Sequence, residues 1–196
     1  MKPRDDKKIT QIFSATLRLT ADSGMAGITM RDIAREAGIA TGTLYIYFKD
    51  KVQLINALFE DCRKSSAAIY FKDYREDASF KTGFRKIWDN IFGYRIEHFD
   101  EAIFLEQCYH SSFIGESQKE ISLQQLKPFY RLIERGKKER AIKDLDTFLL
   151  LIFMVGSISE IIKFSKYNNK KITPETKEDV FGICWDGLKQ CSVGTG

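Results

Sequence analysis

Glu106 and His110 stand four residues apart in the segment Phe104-Leu105-Glu106-Gln107-Cys108-Tyr109-His110, with Cys108 between them. On a helix the first two share a face, where they can orient a ligand or simply bond at the surface. Cys108 and His110 fall on different faces, and no third or fourth ligand has suitable spacing, so a zinc site is not expected. The two histidines, at 98 and 110, have no catalytic partner visible in the sequence. A phosphate-binding glycine loop, an HExxH pair and a GxSxG turn are all missing from the chain. Catalytic residues, metal ligands and cofactors are therefore not expected, although acid–base or nucleophilic chemistry by Glu106, Cys108 and His110 is the alternative to weigh.

A second group of side chains is suited to binding. Thr41, Thr43 and Tyr47 offer hydroxyls from one side of a short segment whose other side carries Leu44 and Phe48, four residues apart. That segment follows Gly38-Ile39-Ala40, and a short helix precedes it. Glycine permits the sharp turn and Ile39 plugs the angle, which is the spacing of a helix-turn-helix whose second helix reads DNA.

The surrounding periodicity supplies the elements that must hold this motif. Ile9, Ile12, Phe13, Thr16, Leu17 and Thr20 form one helical stripe, and Gly24 is expected to end that helix in the left-handed conformation. Thr29 and Asp32 form a capping box at the start of the next helix, which carries Ile33, Ala34 and Ala37 inward and ends at Gly38. Asp50 and Gln53 then cap a fourth helix with Ile55, Leu58, Phe59 and Cys62 inward, up to a polar region at Ser65-Ser66.

Further along, Phe80, Phe84, Ile87, Trp88, Ile91 and Phe92 repeat with helical spacing. Residues 103–109 read as another helix, and residues 121–133 as one helix bent at Pro128. Asp144 or Asp146 caps a helix running through Lys166, apolar on nearly every side from Phe148 to Ile158. Thr173-Pro174 opens a last helix, 174–190, with Val180, Phe181, Cys184, Trp185 and Leu188 inward. The fold class expected is all-α, with a DNA-binding unit at 1–64 and a larger helical domain at 65–196.

The run Ile28-Thr29-Met30-Arg31-Asp32-Ile33-Ala34-Arg35-Glu36-Ala37-Gly38-Ile39, followed by Thr43-Leu44-Tyr45-Ile46-Tyr47-Phe48-Lys49-Asp50-Lys51, resembles the signature of the TetR family of transcriptional regulators. The resemblance covers roughly residues 7–60. It implies that Thr29 and Arg31 at the start of the second helix, and Thr41, Gly42, Thr43, Tyr45 and Tyr47 on the third, approach double-stranded operator DNA, with Lys51 on a phosphate. Arg31 can offer two parallel donors to guanine, whereas Thr43, Tyr45, Tyr47 and Lys51 suit phosphate oxygens, and Gly42 lets the backbone approach closely. The chain departs from the common pattern at Ala40 and Thr41, where serine followed by lysine is frequent, and at Ile46, often polar. Its operator and some phosphate contacts are left open by those departures.

The same resemblance implies that the later helices surround a small-molecule effector, mainly apolar or aromatic, and that its binding releases the DNA. Trp88, Phe92, Gln107, Cys108 and Tyr109 are the residues expected to line that pocket, with ordinary core packing the competing role. The last two long helices resemble a dimerisation pair making a four-helix bundle between protomers, with Gly156 and Ser157 allowing close approach. A regulator whose second unit only dimerises is the remaining alternative.

Composition agrees with these expectations. A 43% apolar and 30% charged chain suits a globular protein, and the net charge of +4 permits a nucleic-acid partner without demanding one. Lys2, Arg4, Lys7 and Lys8 are interrupted by Asp5 and Asp6 with no apolar stretch behind them, so a signal peptide is not expected. The longest apolar run, Phe148 to Val155, is too short to cross a bilayer, so no membrane partner is expected. Cys62, Cys108, Cys184 and Cys191 show no paired spacing and read as reduced, buried thiols of a cytoplasmic protein.

Overall fold

The computed structural model describes residues 6–190, so Lys2, Arg4, Asp5 and Cys191 lie outside the described residues. Ten helices follow one another: α1 Asp6–Gly27, α2 Met30–Glu36, α3 Thr41–Tyr47, α4 Lys51–Tyr70, α5 Phe80–Glu97, α6 Phe99–Tyr109, α7 Glu116–Gln125, α8 Lys127–Lys138, α9 Thr147–Tyr167 and α10 Pro174–Leu188. The class is all-α, as the helical periodicity requires. The one extended pairing among the described residues is an isolated antiparallel bridge, Ile142 with Lys189.

The chain forms two compact units. The first runs up to Ser66 and then takes in His98–Gln125, so that α6 and α7 join the N-terminal helices. The second comprises Ala67–Glu97 and the chain from Leu126 onward. Helix α4 runs past the polar Ser65-Ser66 region to Tyr70, because Ser66 buries its hydroxyl on the Arg63 carbonyl instead of breaking the helix.

Two caps lie where the sequence places them. Asp146 accepts the Leu149 N–H at 2.9 Å, and Thr173 accepts that of Thr176 at 3.2 Å ahead of Pro174. Each satisfies a donor with no intrahelical partner, which stabilises a helix by about 1 kcal/mol.

Three expectations need correction. Gly24 does take a positive φ of 73° and breaks the first helical stretch as expected, but a short further stretch carries α1 on to Gly27. Residues 121–133 form two helices, not one bent one, because the chain breaks at Leu126 and Pro128 occupies the first turn of α8, where no intrahelical N–H is needed. Helix α9 is long and apolar enough by length and composition alone to span a bilayer, because further apolar residues follow the polar ones after Val155.

In the second unit α5 packs on α8 and α9, and α9 on α10. Its core is aromatic: Trp88 stacks on Phe92 at 4.9 Å and meets Phe181 edge-on at 5.2 Å. An ionic clasp joins α5 to α10, with Arg85 reaching Asp89 at 2.8 Å and also Glu178, and Lys177 reaching Asp89 at 2.6 Å.

Candidate nucleic-acid interface

Helices α2 and α3 are too short to persist alone in water, so tertiary packing must hold them. Their inward residues Met30, Ile33, Ala34 and Leu44 join Ile12 of α1, Ile28 in the link after it, and Phe48 and Leu54 further on in one core cluster. Leu44 and Ile33 are fully buried, and Phe48 packs its ring on Phe13 at 6.0 Å. The anchoring role that the sequence gives Leu44 and Phe48 therefore follows from their burial.

Both ends of α2 are fixed by local chemistry. The Thr29 hydroxyl accepts the Asp32 N–H at 3.2 Å and donates to the Asp32 carboxylate at 2.6 Å, while the Thr29 N–H donates to the same carboxylate at 3.1 Å. These hydrogen bonds, led by that of the Thr29 hydroxyl, hold the Asp32 carboxyl below its usual range. At the other end Gly38 turns the chain with φ of 67°, a conformation that costs other L-residues about 1–2 kcal/mol. Ile39 follows, half-buried against the core between the two helices.

The outward surface is then defined. Arg31 is exposed and makes no hydrogen bond or ion pair among the described residues. On α3, Gly42, Tyr45 and Ile46 are exposed and Thr41, Thr43 and Tyr47 half-buried, with Lys49 exposed just beyond. Thr29 presents its side chain at the surface, although its hydroxyl is committed to the cap. Seven of the eight residues expected at a DNA surface thus lie on the exposed or half-exposed side of α2 and α3.

Lys51 is engaged within the first unit. Its ammonium donates to the Met25 carbonyl at 2.6 Å and to the Ile28 carbonyl at 2.7 Å, with Ala26 at 3.5 Å, and it stands 5.1 Å from the Phe113 ring centroid. It therefore closes the C-terminal end of α1, where carbonyls lack intrahelical partners. Partial burial lowers its pKa from the usual lysine value. No sequence pattern links a lysine to carbonyls some 25 residues earlier, so this role was not legible.

The five expected pocket residues fall in different places. Trp88 and Phe92 are buried in the core of the second unit, while Gln107, Cys108 and Tyr109 belong to α6 in the first. Gln107 is committed at both ends of its amide: Nε2 donates to the Thr20 carbonyl at 3.1 Å and Oε1 accepts the Met25 N–H at 2.7 Å. Tyr109 shares its hydroxyl between Arg63 Nη2 at 3.0 Å and Ser122 at 2.8 Å. An open depression of about 560 Å3 lies beside Gly24 and Met25, lined also by Glu106, Gln107, His110 and Phe113. Of the five residues it takes only Gln107, and it brings Glu106 and His110 to one side as their spacing implies.

The cysteines are not poised for chemistry. Cys62, Cys108 and Cys184 are buried free thiols. Burial pushes Cys108 up to about 12 and Cys184 to about 11, and raises Cys62 still further. At neutral pH they are protonated core residues, because nucleophilic cysteines need the thiolate.

A short helix set on a buried core behind a glycine turn, with its outer side exposed, defines a helix-turn-helix protein of the DNA-reading class. Comparison with known proteins gives the family. Residues 12–58 match the model of the bacterial regulatory proteins of the tetR family, and residues 59–190 match that of the tetracyclin repressor-like C-terminal domain. The chain belongs to the TetR family of transcriptional regulators.

It is 25% identical over 189 residues to an uncharacterized HTH-type transcriptional regulator of Haemophilus influenzae, covering 92% of this chain and 95% of that one. It is 26% identical over 167 residues to the fatty acid metabolism regulator protein of Bacillus subtilis, covering 84% and 86% of the two chains. A TetR family transcription regulator from Marinobacter aquaeolei superposes with a TM-score of 0.86 at 26% identity, over 97% of this chain and all of that one (100%). Regulators of this family bind operator DNA and small-molecule effectors and function as dimers.

Proposed function

We propose that this protein is a ligand-responsive repressor that binds a near-palindromic operator as a homodimer in the cytoplasm and leaves it when a small, mainly apolar or aromatic effector binds. The observation that carries the reading is the division of α3 into a buried side, Leu44 with Phe48, and an exposed one flanked by the unengaged Arg31. Arg31 reads a base edge. Thr29, Thr41, Gly42, Thr43, Tyr45 and Tyr47 position the helix on phosphates and sugars, which fixes register without reading sequence. Lys51 contributes by fixing the end of α1 against α4.

Dimerisation through α9 and α10 is supported by their uncovered apolar side chains. Phe148, Leu149, Ile152, Phe153 and Phe164 on α9, and Ile183 on α10, are all exposed. Large contiguous apolar patches on a soluble protein mark contact sites. Two copies joined here present two α3 helices to successive major grooves, roughly 34 Å apart.

The effector binds in the region after α4, and Gln107, Cys108 and Tyr109 of α6 are the residues that shape its site. Gln107 transmits its effect, because it ties α6 to both sides of the Gly24 kink. An apolar effector accords with the name of the Bacillus subtilis relative, a fatty acid metabolism regulator. A coupling of about 1–3 kcal/mol would weaken operator binding roughly 5- to 150-fold.

Selection of genomic fragments by the purified protein, followed by footprinting, tests the reading. A protected two-fold symmetric site is expected, together with a compound from a thermal-shift panel that releases it. Binding without sequence preference and indifferent to every stabilising compound would refute it.

A further inference from the structure

Ile46 is the most exposed of the large apolar side chains among the described residues, at 81%, and it sits on α3. Leu44 and Phe48 already anchor α3, and Ile46 falls on the opposite stripe with Gly42, Tyr45 and Lys49, all exposed. Between Thr41 and Tyr47 the helix carries no Arg, Lys, Asn, Gln, Asp or Glu. It therefore lacks every side chain able to make the two-point hydrogen bonds that distinguish guanine or adenine in the major groove. What remains for base recognition are single hydrogen bonds from the Thr and Tyr hydroxyls and apolar contact, for which Ile46 offers the most exposed side chain of α3. One base edge in that groove is apolar: thymine, through its C5-methyl group.

We infer that Ile46 reads a thymine methyl group in the major groove and so fixes an A·T pair at one position of each half-site. The inference rests on α3 being the DNA-facing helix. In water both the Ile46 side chain and the thymine methyl carry hydration that is lost when they meet. Removing one methyl from such a contact is worth about four-fold in affinity for one half-site and about fifteen-fold for both. Thr41 and Thr43 also carry a methyl group, but both are half-buried, whereas Ile46 is exposed. Sequence preference at this position thus comes from a residue that the departure at 46 makes apolar.

The test begins with an operator selected from a random duplex pool by the full-length protein. Each symmetry-related pair of thymines is then replaced in turn by deoxyuridine, which lacks only the methyl, and affinities are measured by fluorescence anisotropy at fixed salt for wild type, Ile46→Val and Ile46→Ala. One symmetric thymine pair should emerge whose replacement weakens wild type by about fifteen-fold, Ile46→Val comparably, and Ile46→Ala hardly at all. Ile46→Ala should bind the unmodified operator as weakly as wild type binds the deoxyuridine duplex, with unchanged circular dichroism and unchanged affinity for random DNA. Equal sensitivity of wild type and Ile46→Ala at every thymine would overturn the assignment while leaving α3 on the DNA. Failure to enrich any sequence would instead remove the DNA-reading interpretation, and this one with it.

Discussion

The Gln107 side-chain oxygen accepts the Met25 backbone N–H at 2.7 Å, immediately beyond the positive-φ residue Gly24. With its amide nitrogen on the Thr20 carbonyl, this one side chain spans the kink in α1 and supplies partners that the interrupted helix cannot. Helix α1 carries Ile12 and Ala15 into the same unit that holds α2 and α3, so the kink is part of what sets the reading helix on its core.

Replacing Gln107 by leucine should therefore strand a backbone donor and acceptor. A loss of about 1–3 kcal/mol in unfolding free energy is expected, read from urea midpoints at constant slope. If Gln107 also carries the effector signal, the variant should bind operator but respond less to the releasing compound. An unchanged midpoint would mean that water replaces the amide without cost.

Lys51→Met removes the donors that close the end of α1. It should destabilise the protein by about 1–3 kcal/mol and weaken binding to specific and random DNA alike. A variant of full stability with a shallower salt dependence of DNA binding would show that Lys51 acts on phosphates directly, as the family resemblance implies.

Gly38→Ala places a side chain at a φ of 67°, with open space around the added carbon. The cost is backbone strain alone, about 1–2 kcal/mol. Gly38→Asn, which tolerates this conformation better, should lose less. Thermal denaturation of the two variants gives the comparison, and equal losses would point to a steric cause that the open space excludes.

Asp89 supplies a pH test of the α5–α10 clasp. Burial alone would raise its pKa, but the hydrogen bonds from Arg85 and Lys177 outweigh it and the net shift is below 3.8. A depressed carboxyl stabilises the fold fully above its unfolded value and loses that contribution as pH falls through the folded value. Asp89→Asn should be less stable than wild type at pH 7, and the gap should narrow below pH 3.8. A gap independent of pH would mean that the ion pairs contribute nothing.

Much of the first unit was legible because its determinants are local. The Thr29–Asp32 capping box, Gly38 at the turn and the four-residue spacing of Leu44 and Phe48 act over a few residues and appear as read. Gly24 was half legible: its positive φ is a property of glycine, whereas whether the helix resumes depends on Gln107 and Lys51, distant in sequence. The break at Leu126 was misread because apolar periodicity runs across it, and only the geometry of Pro128 separates α7 from α8. Pocket residues were the least legible, since an aromatic repeat looks the same whether it faces a ligand or, like Trp88 and Phe92, a stacked neighbour.

The central claim is that α2 and α3 read operator DNA, and anisotropy of the purified protein on DNA upstream of its own gene tests it most directly. Wild type and Arg31→Ala are compared at several salt concentrations. Saturable binding by two chains per site, selective over scrambled DNA and lost in an Arg31→Ala variant of unchanged thermal stability, is the expected result. Equal binding by both proteins, or no binding by wild type to that DNA or to a genomic fragment pool, would contradict it.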